Sequence, residues 1–408
     1  MGTISIPQDC TNPGVDKYRG TIWHSARWNH GYDLHGKSVA VVGNGCSAAQ
    51  LVPFVVKDAA KVTQFQRCAQ WINDRPNREF SAFEKWCFRY VPLANKLYRF
   101  YIWKITDALH TLYASESARS IKARAAATEV AREYMRDTAP ERYHDILIPK
   151  FPLGCKRRIF DPGYLESLHS PKIELTTEAI LEFTETRLKT SKQSIDFDVV
   201  ILSTGFKIQE FLSPIVIRGE SGITLNEHWK ATRGAQAYKS TFVAGFPNFG
   251  IVFGPNAFPA HNSVIFTNEV QVEYIIKTMF RPMIQGSFTV SNVKEAAENR
   301  DARHIQSKLQ SMVWSSGCSN WNLDKHGRNT TNYHDNTYKF WYQLPWPVWR
   351  DFDLSGGTGY LPWRPEWKRA GAVLDLGVLT SFVTTGQLQF LWLLMCHTGL
   401  SLINKYGT

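Results

Sequence analysis

The sequence predicts an α/β protein built on a parallel sheet, and three observations carry that reading. The apolar run Ser38-Val-Ala-Val-Val42 passes straight into Gly43-Asn-Gly45-Cys-Ser47-Ala48 and then into Ala48-Ala-Gln-Leu-Val-Pro-Phe-Val-Val56, a succession that reads as strand, tight turn and helix. A second strand-like run, Lys61-Val-Thr-Gln-Phe-Gln66, follows at once, as a crossover unit of a parallel sheet requires. A third, Asp198-Val-Val-Ile-Leu202, ends in Thr204-Gly205-Phe206. Between them, residues 77–143 are rich in Lys, Arg, Glu, Ala and aromatics with few glycines, which predicts a helical insertion.

The turn after the first strand has a specific use. Gly43 and Gly45 let the backbone bend sharply and approach a pyrophosphate, whose charge the first amides of the following helix stabilise. Ser47 and Ala48 keep the helix start small, and Ala48 can take the third glycine position because close packing of helix on strand needs only a small residue. This is the pattern of a Rossmann-like dinucleotide site. At the end of the second strand, where an acidic residue would bind the ribose 2′-hydroxyl of NAD, the chain has Gln66-Arg67. A guanidinium there binds a 2′-phosphate in bidentate fashion, so NADP(H) is favoured over NAD.

Just ahead of the turn lies Tyr18-Arg-Gly20-Thr-Ile-Trp-His24-Ser-Ala-Arg-Trp28. It resembles the fingerprint F-x-G-x-x-x-H-x-x-x-W of the Baeyer–Villiger monooxygenases, with Tyr18 in place of phenylalanine. Further matches in the same order are Gly154-Cys-Lys-Arg-Arg158, Asp198 to Phe206, Phe246-Pro-Asn-Phe-Gly-Ile-Val-Phe-Gly254-Pro255-Asn256, and the run from His261-Asn-Ser-Val through Glu269, Gln271 and Tyr274. The resemblance covers residues 2–353 and is nearest to the fungal secondary-metabolism branch. It implies FAD- and NADPH-dependent insertion of one oxygen atom from O2 into a ketone of polyketide or terpenoid type. It also implies interleaved FAD- and NADP-binding Rossmann-like domains.

On that pattern, residues 1–20 are the end of a first FAD half and a linker. Residues 21–75 with 156–206 form the NADP domain, 76–155 the helical insert, 207–370 the later part of the FAD domain, and 371–408 an apolar tail. The first FAD glycine loop would lie ahead of Met1, leaving the N-terminal FAD unit incomplete. The other glycine-rich run, Ser355-Gly-Gly-Thr-Gly359, has no strand before it and reads as a loop.

The resemblance assigns His24 to the linker that couples nicotinamide to flavin, Thr204 and Gly205 to cofactor contact, and Gly254 and Asn256 to a turn facing the flavin ring after a buried strand 250–253. An arginine in the family supplies fixed positive charge where negative charge develops. Its position is read as Ser170, leaving Lys156, Arg157 and Arg158 as the nearest cations in sequence, with Arg158 taken as the catalytic one. The aromatics Phe83 to Trp103 in the insert are either core or the wall of a pocket for a bulky ketone.

Composition bounds the rest. The chain has 408 residues, 43% hydrophobic and 20% charged, enough for two or three globular domains. Its net charge of +11 is scattered and carries no nucleic-acid-binding module, so attraction of NADPH or anionic lipid is the simpler use. Seven cysteines are widely spaced without a C-x-x-C pair, which predicts a reducing, intracellular setting and no metal site. No Tyr is followed four residues later by Lys, which disfavours a short-chain dehydrogenase.

Residues 376–404 contain no Lys, Arg, Asp or Glu and centre on Phe390-Leu-Trp-Leu-Leu-Met395, so the tail is either a membrane-associated segment or a docked helix. Oligomeric state is not legible. Two functions follow: a Baeyer–Villiger-type monooxygenase, or an NADP-binding remnant that needs a flavin half from elsewhere.

Overall fold

In the computed structural model, which describes residues 4–361 except 76, 115, 116, 319 and 345, the chain opens with β1 (Thr21–His24), β2 (Ser38–Val42), α1 (Cys46–Asp58), β3 (Lys61–Phe65) and the short β4 (Ile72–Asn73). The insertion supplies α2 (Ala82–Tyr90), α3 (Ala94–Ala108), α4 (Ala118–Thr138) and α5 (His144–Leu147). The chain returns through β5 (Ile159–Phe160), α6 (Tyr164–Ser167), β6 (Ile173–Thr176), a meander of β7 (Ile180–Phe183), β8 (Arg187–Thr190) and β9 (Ser194–Asp196), and then β10 (Val199–Leu202). The last part holds α7 (Leu225–Ala231), α8 (Val264–Ile275), α9 (Arg281–Ile284), β11 (Val290–Val293), α10 (Glu295–Leu309), α11 (Thr337–Gln343) and β12 (Phe352–Ser355).

Five strands form one parallel sheet in the order β1-β10-β2-β3-β6. Pleating sends alternate residues to opposite faces. Val39, Val41, Val199 and Ile201 enter a core with α1, α4 and α6 residues, while Ala40, Val200, Leu202 and Phe65 meet Phe183, Leu188 and Phe197 of the meander region. The layers are therefore helices, sheet and meander, a Rossmann-like α/β fold. Continuous Val/Ile runs in β2 and β10 are what a strand buried on both faces requires.

A separate core joins Tyr238, Phe242, Tyr274, Phe340 and Phe352 of the C-terminal part. There α8 continues through a π-turn, Ile276–Phe280, into α9, next to Pro282, whose ring and missing N–H disrupt regular α-helical bonding.

Two expectations are corrected. Residues 250–253 are not a buried strand: Gly250 makes one isolated bridge to Phe242, and Val252 is exposed, because Gly254 and Asn256 turn the chain inward. The cysteines do not all stand alone either. Cys155 and Cys318, 163 positions apart, form a disulfide with Cα atoms 6.3 Å apart, a pairing no sequence spacing announced. The apolar tail lies outside the described residues, and no helix among those described is long and apolar enough to cross a membrane.

Candidate functional site

The C-terminal ends of the parallel strands gather the sequence motifs on one edge, where open α/β sheets bind ligands. Gly43 leaves β2 at φ +117°, and a Cβ there would stand 2.4 Å from the Ser203 carbonyl after β10. Only glycine lets the two strand ends approach so closely. At Gly45, by contrast, a Cβ would meet nothing within 4 Å. Gly45 is the N-cap of α1 without any side-chain cap, so the amides of Cys46, Ser47 and Ala48 open toward that space while Ala48 and Ala49 bury their methyls against the sheet. Such a helix start has the geometry to cradle an anion. Asn44 braces it, its Nδ2 donating to Gln66 Oε1 at 2.9 Å and to the Cys68 carbonyl at 2.8 Å.

Arg67 follows β3 on the same edge, exposed and with no ion pair among the described residues. Beside it, the nearly buried Lys156 Nζ donates to Cys68 Sγ at 2.7 Å and lies 4.8 Å from the Phe151 ring centre.

At the end of β1, His24 is buried. Its Nδ1 accepts from the Ala26 N–H at 3.1 Å, which places the ring proton on Nε2, and Nε2 has no partner at full hydrogen-bond geometry among the described residues. Burial lowers its pKa below the ordinary value, with the Gly205 backbone acting in the opposite direction. The ring packs edge-on against Phe206, 5.5 Å between centres. Ser25 and Ser203 hydroxyls on the same edge are also buried without partners. Orphaned polar atoms gathered at strand ends beside an open glycine turn mark a place for a polar ligand.

Tyr18, Gly20 and Trp28 of the same fingerprint are structural. The Tyr18 ring covers Gly20, where a Cβ would be 2.5 Å away, its hydroxyl donates to the Phe197 carbonyl at 2.7 Å, and Trp28 packs on Trp23. Thr204 is exposed, reaching the Gln8 carbonyl at 3.4 Å, and Gly205 adopts φ +92° with open space where a Cβ would be.

A cavity of roughly 330 Å³ lies between Cys46 and Gln50 of α1, the segment Lys156 to Phe160, and the segment Phe258 to Asn262. Tyr113, Trp314 and Trp321 complete its aromatic wall, and no acidic residue lines it. Arg158 is half-buried between the Tyr113 and Phe160 rings, each 6.0 Å from its guanidinium carbon, and its Nε is buried without a partner. Arg157 faces the Phe258 ring at 5.8 Å. The disulfide joins two walls of this cavity, since Cys155 adjoins Lys156 and Cys318 lies between Trp314 and Trp321.

Three readings change here. Ser170 is half-buried in the turn before β6, its hydroxyl accepting from the Lys172 N–H, and stands on the opposite edge of the sheet, whereas Arg157 and Arg158 line the cavity. Gly254 is buried with its Cβ position 2.4 Å from the Ser240 carbonyl, and Asn256 donates from Nδ2 to the Asn329 and Asn332 carbonyls at 2.8 and 3.0 Å. Both therefore hold the local fold of this turn through their contacts. The insert's aromatic cluster is mostly outside the cavity: Phe83, Trp86 and Tyr90 are exposed, and Tyr113 is the insert residue that lines it.

Sequence reasoning missed Asp107. At the end of α3 its Oδ1 accepts from His261 Nε2, Asn262 Nδ2, the Thr337 N–H and the Thr337 hydroxyl at 3.2, 3.1, 2.7 and 2.6 Å. These bonds overcome burial, the largest influence on the group, and hold its carboxyl well below the usual range. The motif His261-Asn262 thus fastens the insert to the C-terminal core beside the cavity. A single carboxylate in a helical stretch carries no pattern that marks it.

Comparisons with known proteins agree with this arrangement. The family model described as flavin-binding monooxygenase-like matches residues 3–85. The chain is 31% identical to a Baeyer–Villiger monooxygenase of Pseudomonas aeruginosa, over 83% of this chain and 64% of that protein. It is 30% identical to one of Streptomyces coelicolor, over 83% and 65%. With the FAD-binding monooxygenase ktnD of Aspergillus niger the identity is 29%, over 87% of this chain and 59% of that one. The chain thus spans about three fifths of these relatives' length. Among solved structures, OTEMO in complex with FAD and NADP superposes with a TM-score of 0.73 at 22% identity, covering 86% of this chain and 74% of that one, and an oxidized steroid monooxygenase bound to NADP with 0.73 at 21%, covering 87% and 74%. The latter two establish a shared fold.

Proposed function

The chain belongs to the flavin-binding, Baeyer–Villiger-type monooxygenases, and from that premise we propose that it serves an NADPH- and FAD-dependent reaction delivering one oxygen atom of O2 to a ketone. The observation that carries the proposal is the convergence on one sheet edge of the uncapped start of α1, of Arg67 and of the His24 Nε2, the last two without an ion pair or hydrogen bond among the described residues, beside a cavity lined by Arg157 and Arg158.

The residues present fit NADP(H). The α1 amides and the open space over Gly45 receive a pyrophosphate, and Arg67 binds the 2′-phosphate. Flavin, when bound, supplies the two-electron chemistry that lets O2 oxidise a carbonyl compound. Of this chain's residues, His24 offers a buried N–H donor toward the cofactors, Arg157 and Arg158 present fixed positive charge where negative charge develops, and the aromatic wall excludes water from the reacting carbonyl. A polyketide- or terpenoid-like ketone suits that wall, and the likeness to fungal FAD-binding monooxygenases supports a place in secondary metabolism.

A second reading rests on one observation. Among the described residues the turn before α1 is the one glycine turn that joins a parallel strand to a long helix, so a chain that binds NADPH while depending on flavin contacts from elsewhere is the alternative. The test is to purify the 408-residue chain with FAD supplied, then record its visible spectrum and its NADPH oxidation with aromatic and alicyclic ketones. Flavin at one per chain and ketone-dependent NADPH consumption support the monooxygenase. Tight NADPH binding without flavin supports the alternative, and a chain that binds neither refutes both.

A further inference from the structure

We propose that the α2–α3 hairpin is a docking surface for anionic phospholipid. At about 100° per residue, Phe83, Trp86 and Tyr90 of α2 fall within roughly 60° of arc, and on the Trp86 side of that stripe Arg89 follows after about 60° and Lys85 after about 100°. The stripe faces outward: Phe83, Trp86 and Tyr90 are 53%, 52% and 58% exposed, and Leu93 in the turn to α3 is 62% exposed. Phe83 and Trp86 stack on each other, and the Arg89 guanidinium sits 5.3 Å from the Tyr90 ring centre, so the aromatics are held as a surface rather than turned into a core. On the Phe83 flank of the stripe, α2 holds the fold through the buried Cys87 and Glu84. Glu84 is paired with Arg78 and closes a capping box with Ser81.

Charge selects the occupant. From Arg78 to Lys104 there are six cations and two carboxylates, and with Arg78 and Glu84 paired to each other the cations Lys85, Arg89, Lys96, Arg99 and Lys104 face Glu79 alone. Protein interfaces concentrate aromatics but deplete lysine. Aromatic residues bordered by Lys and Arg on an amphipathic helix are what a peripheral contact with an anionic bilayer surface uses, the rings entering the headgroup region and the cations adding electrostatic attraction. The chain's net charge of +11 acts in the same direction. The inference stands apart from the oxygenation chemistry.

The test is co-sedimentation of the full 408-residue chain with vesicles of phosphatidylcholine alone and of phosphatidylcholine with phosphatidylserine. Binding to the phosphatidylserine vesicles should exceed that to phosphatidylcholine by at least about tenfold and fall steeply with added salt. Trp86→Ser with Tyr90→Ser, and separately Lys85→Glu with Arg89→Glu, should each reduce it by roughly tenfold. Lys192→Glu, on the exposed β8–β9 turn, should leave it unchanged. Equal binding to both vesicles, or both double variants binding like the parent, overturns the proposal and places any lipid contact elsewhere. So does a chain dimer that the Trp86/Tyr90 variant dissociates while no vesicle is bound.

Discussion

On the proposed reading, Arg67 and Gly43 are the single residues that set the nucleotide site. Reversing the charge with Arg67→Glu should weaken NADPH by about 2 kcal/mol, roughly a thirtyfold rise in Kd, while leaving NADH little changed, as read by tryptophan quenching. Gly43→Ala places a methyl against the Ser203 carbonyl at a positive φ, and should lower unfolding free energy in urea by about 2 kcal/mol or more. His334 gives a pH signature. Burial pushes its pKa down to about 4 from 6.5, so in the folded chain it resists a proton that the unfolded chain accepts. Its contribution is complete above about pH 6.5 and is lost as pH falls toward 4, an upper bound of about 3 kcal/mol. The urea midpoint should therefore fall between pH 7 and 5, and less steeply in His334→Phe.

Among the elements, those with a strong local pattern were legible and those fixed by distant partners were not. The runs at Ser38, Lys61 and Asp198 became β2, β3 and β10 because apolar β-branched residues buried on both faces have little choice, and the turn between Gly43 and Ser47 starts α1 for reasons visible in its glycines. Arg157 and Arg158 could be singled out as cations, but only the fold shows that they border the cavity while Ser170 lies at the far edge. The Gly250–Phe253 run looked like a strand because apolarity alone does not reveal the contacts of Gly254 and Asn256. Asp107 is the plainest case of an invisible element contact, since four donors from two other segments converge on it. Asp107→Ala should cost about 3 kcal/mol by leaving buried donors unsatisfied, and should expose the α3–α4 junction to limited proteolysis before the sheet yields.

For the whole molecule, the prediction is that a ligand bridging the strand ends stabilises both the sheet and the insert. NADPH at about a hundred times its Kd should add roughly 2.7 kcal/mol and raise Tm, and the gain should fall to about 0.9 kcal/mol in Arg67→Glu at the same concentration. The strand order has one further consequence. β10 lies between β1 and β2, although the whole of the insert and the meander precede it in the chain. During synthesis β1 and β2 leave the ribosome first and cannot pair with each other, since the strand that joins them is the last of the sheet to be made. The nascent chain therefore carries β1 unpaired and one edge of β2 open until residue 202 has cleared the exit tunnel, a stretch of translation in which chaperones, rather than the sheet itself, must keep those edges from pairing with other chains.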